Sequence, residues 1–136
     1  MVIDSAHCLL NIQCRESKHC DVPQINIGCN SGQQGVFQCE LIVLHCVSLP
    51  AGDFGSGLPS QLFTGTLDIG AHESFASLAG VRVAPHLFID RDGVVEQFVP
   101  FDRPAWHAGE SQWMNRQGCN RFSLGIELEG TWESPC

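Results

Sequence analysis

The stretch Phe122-Ser-Leu-Gly-Ile-Glu-Leu-Glu-Gly130 decides the fold, because apolar and other residues alternate along it as they do on a β-strand with two unlike faces. On an extended strand, the less apolar face carries Ser123, Gly125, Glu127 and Glu129. The glycine has no side chain, so it leaves room on that face for another group to approach. Glu127 is therefore a candidate for a carboxylate in a cleft, with two solvated surface glutamates as the alternative.

A second apolar run, Leu41-Ile-Val-Leu-His45, lies within residues 40–48, which are rich in branched side chains. Such a run predicts a buried central strand rather than a half-exposed one. His45 interrupts it near the carboxyl end of the strand, where sites on α/β sheets tend to lie. A hydrogen-bonded core histidine is the alternative, and Cys46 is expected to point to the opposite face. An imidazole and a carboxylate together are what a metal-assisted hydrolase needs.

The rest of the chain surrounds these two strands with shorter elements. Asp90-Arg-Asp-Gly93 predicts a hairpin turn between strands at 81–90 and 94–99. Residues 72–79 are predicted to be helical and to stop at Gly80. Loops are predicted at 50–59 and 100–121. The fold class expected from this pattern is α/β, a mixed sheet with flanking helices.

Composition limits the classes of protein to which the chain can belong. Its 136 residues suit one domain, and a net charge of −8 without a Lys/Arg cluster argues against nucleic acid and anionic membranes as partners. No apolar run approaches the ~20 residues of a membrane helix, and the first residues do not resemble a signal peptide. With no export signal, the eight cysteines are expected to be free thiols in a reducing compartment. A small secreted domain held by disulfides is the alternative.

The segment Pro104-Ala-Trp-His-Ala-Gly109 is a candidate binding loop. Its Trp106 and His107 between Pro and Gly suggest an aromatic surface that could grip a sugar or a peptide. A tryptophan that caps the core beside a solvated histidine is the alternative. His72 and His86 are further histidines at loop or strand positions.

These residues also form blocks that match a known family in order and in spacing, over roughly residues 17–131. The matching blocks include Leu44-His-Cys-Val-Ser-Leu-Pro-Ala-Gly-Asp-Phe-Gly55, Gln61-Leu-Phe-Thr-Gly-Thr-Leu-Asp68, Ala105-Trp-His-Ala-Gly109 and Phe122-Ser-Leu-Gly-Ile-Glu-Leu-Glu-Gly-Thr131. They resemble the cytoplasmic anhydromuramyl-L-alanine amidases. These enzymes are type-2 zinc amidases, related to the peptidoglycan recognition proteins.

The resemblance implies a zinc-bearing cleft on a mixed sheet. It also implies hydrolysis of the amide between N-acetylmuramic acid, in its 1,6-anhydro form, and L-alanine. Zinc in that family is held by two histidines and an aspartate; His45 matches the first histidine, and Glu127 matches the glutamate that handles the proton of the attacking water. Residues 1–36 are expected to be an irregular arm and residues 37–136 the N-terminal part of an amidase domain. The other ligands are expected beyond Cys136, so we expect a fold incomplete at its C-terminus, an inactive isolated chain, and self-association through an uncovered face.

The chain departs from the family pattern at three positions: Ser74 replaces a tyrosine, Cys46 the usual asparagine and Gly118 an arginine. Two functions remain open. One is a zinc amidase of peptidoglycan recycling in a bacterial cytoplasm. The other is a non-catalytic muropeptide-binding module of the same fold, in which the substrate would be held by Arg82, Trp106, His107 and Asn120. Arg82 could pair with a carboxylate of the stem peptide.

Overall fold

A mixed β-sheet of five strands lies at the centre of the computed structural model, which describes residues 13–14 and 37–134. The strands of the chain are β1 (Gln13–Cys14), β2 (Leu41–Val47), β3 (Leu87–Ile89), β4 (Val95–Gln97), β5 (Gln112–Trp113), β6 (Arg116–Gln117) and β7 (Ser123–Glu129). The five-stranded sheet has the order β1-β4-β3-β7-β2, and β5 pairs with β6 separately. Only β3 and β4 are antiparallel within the large sheet. The predicted α/β class with a mixed sheet is confirmed.

One α-helix and three short 3₁₀-helices accompany the described strands. The helix α1 (Leu58–Thr64) has a proline in its first turn and ends at Gly65, whose positive φ of 69° suits a residue without a Cβ. The 3₁₀-helices are Ile69–Ala71, Glu73–Leu78 and Cys119–Arg121. The predicted helix at 72–79 is therefore a 3₁₀-helix that buries Phe75, and α1 overlaps the end of the predicted loop at 50–59.

The hydrophobic core lies between one face of the sheet and the segments that contain α1 and the second 3₁₀-helix. Phe63 of α1 meets Phe88 of β3 and Phe98 edge-on, with ring centroids 5.9 and 5.3 Å apart. Edge-to-face aromatic pairs add to the stabilisation from buried apolar area. Phe75 is fully buried in the same cluster, and Val47 of β2 packs against it. The core thus covers the face to which His45 and Glu127 belong.

The strand β2 lies at the edge of the sheet, so the prediction of a buried central strand at 40–48 is wrong. Ile42 and Leu44 are 57% and 64% exposed, and Cys46 is also exposed. These three residues alternate with His45 and point away from the core. The continuous apolar run indicated burial on both faces, but the structure covers only one.

The predicted hairpin is confirmed, with strands shorter than predicted. The Asp90 carboxylate accepts hydrogen bonds from the backbone N–H groups of Asp92 (2.9 Å) and Val94 (2.8 Å). Gly93 adopts a positive φ of 80°. In the segment before β3, Ala84 forms a single bridge with Trp106. The sequence signals therefore located the turn better than the ends of its strands.

Glu129, the last residue of β7, connects two loops to the sheet. Its buried carboxylate accepts hydrogen bonds from the N–H of Gly55 (2.7 Å) and the N–H of Arg91 (3.3 Å). The guanidinium of Arg91 lies 4.5 Å from the centre of the Phe54 ring, so the two loops also contact each other.

The remaining expectations concern the termini and the cysteines. The predicted irregular arm at 1–36 lies outside the described residues, except for the two residues of β1, and the domain boundary at 37 stays a prediction. In the described part, Cys39, Cys46 and Cys119 are free thiols. None of the described helices has the length and apolarity needed to cross a membrane.

Candidate functional site

A row of four side chains runs across one face of the sheet and includes both residues singled out from the sequence. His45 of β2 pairs in register with Glu127 of β7, which pairs with Phe88 of β3, which pairs with Glu96 of β4. Residues in register on neighbouring strands share a face. An imidazole and a carboxyl group are therefore neighbours on the core side of the sheet, at its β2 edge.

One oxygen of the Glu127 carboxyl group, Oε2, is buried and unsatisfied, since it has no hydrogen-bond partner among the described residues. Burial raises the pKa of Glu127 from 4.5 to about 7. Phe88 on one side supplies apolar surroundings, and no cation neighbours the carboxyl in the described row. Near neutral pH this group can thus both accept and release a proton, which suits general acid–base chemistry.

The ring of His107 lies directly on Gly125, two residues before Glu127 on the same face. A Cβ at Gly125 would stand 2.2 Å from Cγ of His107, closer than any real contact. The missing side chain is thus what lets His107 reach the sheet. There, His107 Nδ1 lies 3.0 Å from His45 Nε2, and His107 Nε2 lies 3.2 Å from Ser123 Oγ.

Two neighbours hold the segment of His107 in place. The buried side-chain carbonyl of Asn120 accepts hydrogen bonds from the backbone N–H groups of His107 (3.1 Å) and Ala108 (2.9 Å). His86 is fully buried, and its ring centroid lies 5.9 Å from that of His107. His86 Nδ1 accepts from the N–H of Gly125 (3.0 Å), and its Nε2 lies 2.8 Å from the carbonyl of Arg103.

The three histidines near Gly125 are all less basic than a free imidazole. Burial, together with the nearby His45 and His86, lowers the pKa of His107 to about 4, although a backbone hydrogen bond at Ser123 acts in the opposite direction. Burial also lowers the pKa of His86 to about 4, and the pKa of His45 moves in the same direction for the same reason. At neutral pH the cluster is therefore uncharged, and each ring has one N–H and one lone pair.

The structure brings together some of the residues predicted for the site and separates others. His45, Glu127 and His107 form one cluster, and Asn120 supports it from below the loop. Trp106 is 38% exposed while His107 is partly buried, the reverse of the alternative in which tryptophan caps the core. Arg82 is exposed and takes no part in the hydrogen bonds of the cluster. Whether these residues touch a substrate stays a prediction.

Sequence reasoning assigned no role to Ser123 or His86 in this cluster, and it predicted for Gly125 only that it leaves room for another group to approach. The alternation in β7 did place Ser123 and Gly125 on the face of Glu127, which was the available signal. Nothing in the sequence indicated that a ring from residues 104–109 would rest on Gly125, because that contact joins segments far apart in the chain.

The described residues do not complete a metal site of the kind a catalytic zinc uses. Such a zinc generally has three protein ligands and one open position. Within the part of the chain that the structure describes, no group of three or more His, Cys, Asp or Glu side chains is arranged around a common point. The donors present, His45 and the unsatisfied oxygen of Glu127, could supply part of one.

A cavity of about 670 Å³ is lined by residues that are close in sequence to members of this cluster. The cluster residues themselves do not line it. It is formed by residues 109–112 and by Gln117, Gly118 and Arg121. Neither His45 nor Glu127 contributes to its wall. The pair of His45 and Glu127 and this cavity are therefore separate features, and the register of β2 with β7 identifies the pair as the candidate site.

Comparison with known proteins agrees with the fold and places the chain among amidases. The family described as N-acetylmuramoyl-L-alanine amidase matches residues 37–136. Curated relatives carry the name 1,6-anhydro-N-acetylmuramyl-L-alanine amidase AmpD. The protein of Escherichia coli (strain K12) is 56% identical over 91 residues, 67% of this chain and 50% of the relative. That of Haemophilus influenzae is 45% identical over 96 residues, 71% of this chain and 52% of the relative. The chain thus spans about half the length of the curated relatives it matches.

Solved structures agree with this result. A crystal structure of a selenomethionine AmpD derivative superposes with a TM-score of 0.78 and 40% identity, over 96% of this chain and 67% of that one. The solution structure of Citrobacter freundii AmpD gives a TM-score of 0.57 and 41% identity, over 99% and 66%. The mixed sheet of this chain is therefore the amidase fold.

Proposed function

The chain belongs to the N-acetylmuramoyl-L-alanine amidase family, and on that premise we propose that it carries the sheet-borne part of a muropeptide amidase site. The proposed reaction is hydrolysis of the amide between N-acetylmuramic acid, in its 1,6-anhydro form, and L-alanine. The substrate class follows from the names of relatives that are 56% and 45% identical to this chain. The observation that carries the proposal is the pairing of His45 with Glu127 across β2 and β7.

Glu127 has the properties that the proton transfers of this reaction require. A water molecule that attacks an amide must lose a proton, and the departing amine must gain one. A carboxyl group with a pKa of about 7 can do both near neutral pH. Its Oε2 is buried and has no hydrogen-bond partner in the described part of the chain, so its acceptor position is unfilled until a water or substrate atom enters the site. We assign Glu127 the role of proton acceptor and donor.

We propose zinc as the cofactor of the complete site, with His45 as one of its ligands. The described residues do not by themselves form a three-ligand zinc centre, so the remaining ligands must come from elsewhere in a complete site. The isolated chain is accordingly expected to bind muropeptide without turning it over.

Arg82, Trp106, His107 and Asn120 are proposed to form the substrate-binding side of the cleft. The partly exposed ring of Trp106 supports contact with a sugar or peptide. Asn120 and His107 would act mainly by holding the loop, since the Asn120 carbonyl binds the loop backbone and both ring nitrogens of His107 are engaged.

The proposed setting is peptidoglycan recycling in the bacterial cytoplasm. The free thiols of Cys39, Cys46 and Cys119 suit a reducing compartment. Self-association through the exposed apolar side of β2 is part of the same proposal, since Ile42 and Leu44 are more than half exposed there.

A binding and turnover experiment tests this function. The chain is titrated with a synthetic 1,6-anhydro-muramyl-L-alanyl peptide, and the same peptide is assayed for hydrolysis by mass spectrometry with and without zinc. A second protein joins this chain to the part of the Escherichia coli relative that follows the matched region. We expect binding by the chain and hydrolysis by the joined protein.

Matched variants then assign the roles. In the joined protein, Glu127→Gln is expected to keep zinc and lose turnover by about 100-fold or more, and His45→Ala to lose zinc. Glu133→Gln and His72→Ala alter exposed residues of the same types and should change neither. Binding without turnover in the joined protein would favour the alternative, a non-catalytic muropeptide-binding module. Absence of both binding and turnover would contradict both functions.

A further inference from the structure

A chain of hydrogen bonds leads from the sheet to His45 and determines which of its ring nitrogens carries the proton. It begins at Ser123, whose Oγ is fully buried and donates its single proton to the carbonyl of Cys119 at 2.7 Å. A hydroxyl has one proton to give. Its second contact, to His107 Nε2 at 3.2 Å, must therefore be one in which Ser123 accepts and the imidazole donates.

His107 is the next member of this chain of hydrogen bonds. A neutral imidazole that donates from Nε2 has a lone pair on Nδ1. His107 Nδ1 lies 3.0 Å from His45 Nε2, so His45 must be the donor of that hydrogen bond. In the described part of the chain no hydrogen bond reaches His45 Nδ1, so that atom keeps a free lone pair.

We propose that His107 and Ser123 are positioning residues that fix His45 in its Nε2–H tautomer and leave Nδ1 as the only ring atom that can bind another group. His107 thus acts through His45, in contrast to the direct substrate contact expected from the sequence. Three hydrogen bonds form one relay, and each is donated toward Cys119. His45 donates to His107, His107 donates to Ser123, and Ser123 donates to the carbonyl of Cys119. Polar groups next to a ligand commonly set its tautomer and orientation in this way.

The position of the relay is held by contacts that do not involve His45. Gly125 lets the ring of His107 reach the sheet, and the Asn120 carbonyl holds the backbone of residues 107 and 108. The tautomer is thus a property of the folded chain and needs no bound ion. The use of the free Nδ1 as a ligand or acceptor in the cleft rests on the proposed function, whereas the tautomer itself does not.

Nitrogen-15 spectroscopy of the histidine rings tests this inference without an activity assay. The full chain, labelled at its histidine nitrogens, is measured by long-range ¹H–¹⁵N correlation near pH 7 with a chelator present. We expect His45 and His107 each to show a protonated Nε2 and an unprotonated Nδ1. A proton on Nδ1 of His45 would overturn the inference, and this measurement needs no variant.

Two variants and one matched control test the relay itself. Ser123→Ala removes the acceptor for His107, and His107→Phe removes the acceptor for His45 while keeping a ring on Gly125. In both, the Nδ1 and Nε2 shifts of His45 should move toward each other, the signature of exchange between tautomers. Ser74→Ala removes a hydroxyl that lies 2.8 Å from the Nδ1 of another histidine, His72, and should leave His45 unchanged.

His86 is an internal control for folding in every sample. Its tautomer is set by the N–H of Gly125 and the carbonyl of Arg103, so its signals should stay in place in Ser123→Ala. An unchanged His45 in a folded Ser123→Ala protein would overturn the relay. Hydrolysis by the joined protein together with such a result would refute this inference alone and leave the proposed function standing.

Discussion

His45 and Glu127 occupy paired positions on two adjacent parallel strands, so the sheet itself sets the distance between the imidazole and the carboxyl group. No loop has to close to bring them together. Because side chains alternate between faces, a slip of one residue in the pairing of β2 with β7 would move one of the two to the opposite face. The seven-residue pairing that fixes the fold thus also fixes the candidate site.

The buried Glu127 predicts a stability that depends on pH. Its pKa rises from 4.5 to about 7 on folding, so between these values the folded chain binds more protons than the unfolded chain. The contribution of Glu127 to stability is fully present below pH 4.5 and is lost as pH rises through 7. Glu127→Gln removes this loss. The free energy of unfolding of the variant relative to the original chain should therefore increase by up to about 3 kcal/mol between pH 4.5 and pH 8.

Urea unfolding in the presence of a chelator measures this difference. The buried histidines give the opposite dependence, because their pKa values fall on folding, but they do so equally in both proteins and cancel in the comparison. Glu133→Gln changes an exposed glutamate and serves as the control. A difference that stays constant from pH 4.5 to pH 8 would show that Glu127 ionises freely in the folded chain.

Much of the central sheet could be read from the sequence because its signals are local. The alternation in residues 122–129 gave both the strand and the shared face of Ser123, Gly125, Glu127 and Glu129, and Asp90–Gly93 gave the turn of the hairpin. The burial of β2 could not be read, because a run of apolar residues does not say which elements cover each face. Ile42 and Leu44 are residue types typical of a buried strand, yet they lie exposed on a strand at the edge of the sheet.

In the candidate site, too, local sequence patterns predicted some residues, whereas contacts between distant segments determine the positions of others. His45 and Glu127 were identifiable as polar residues on apolar strands, and the structure places them side by side. The position of His107 depends on the space above Gly125 and on the Asn120 carbonyl, neither of which the sequence ties to residues 104–109. The contacts between distant segments of the chain could thus be identified only from the structure.

Gly125→Ala should disturb the site through volume alone. The added methyl would stand 2.2 Å from Cγ of His107, and a rigid ring backed by Ser123 cannot yield without leaving its hydrogen bonds. We expect a loss of about 1–3 kcal/mol in the free energy of unfolding, as for other overpacked sites.

Urea unfolding and the His107 ring signals together check this prediction. Gly70→Ala is the control, since the nearest atom to its new methyl is the end of the Asp68 side chain at 3.3 Å. Equal stabilities of the two variants, with His107 signals unmoved in Gly125→Ala, would mean that the ring does not rest on the glycine.

Glu129→Ala should loosen two loops at once. Removal of the buried carboxylate leaves the N–H groups of Gly55 and Arg91 without their acceptor, and each unsatisfied donor costs about 1–3 kcal/mol if it stays buried. We expect lower stability together with faster amide exchange at both residues, measured by hydrogen–deuterium exchange. Glu133→Ala, on an exposed residue just beyond the strand, should change stability by less than about 0.5 kcal/mol. Exchange that speeds up at only one of the two amides would show that the carboxylate holds one loop rather than both.

The exposed side of β2 predicts self-association of the chain. Leu44 is 64% and Ile42 57% exposed, next to the partly buried Leu124 and Ile126 in register on β7, and among the described strands β2 is an edge strand that pairs only with β7. Apolar patches and open edges of this kind favour contact with a second chain. Leu44→Glu places a charge in the middle of this patch and should shift the chain to monomer in light scattering after size-exclusion chromatography. Met114→Glu changes a residue that is 78% exposed in the turn between β5 and β6, so it should leave the association state as it was. A chain that is monomeric at every concentration, or one whose association survives Leu44→Glu, would contradict the role of this face.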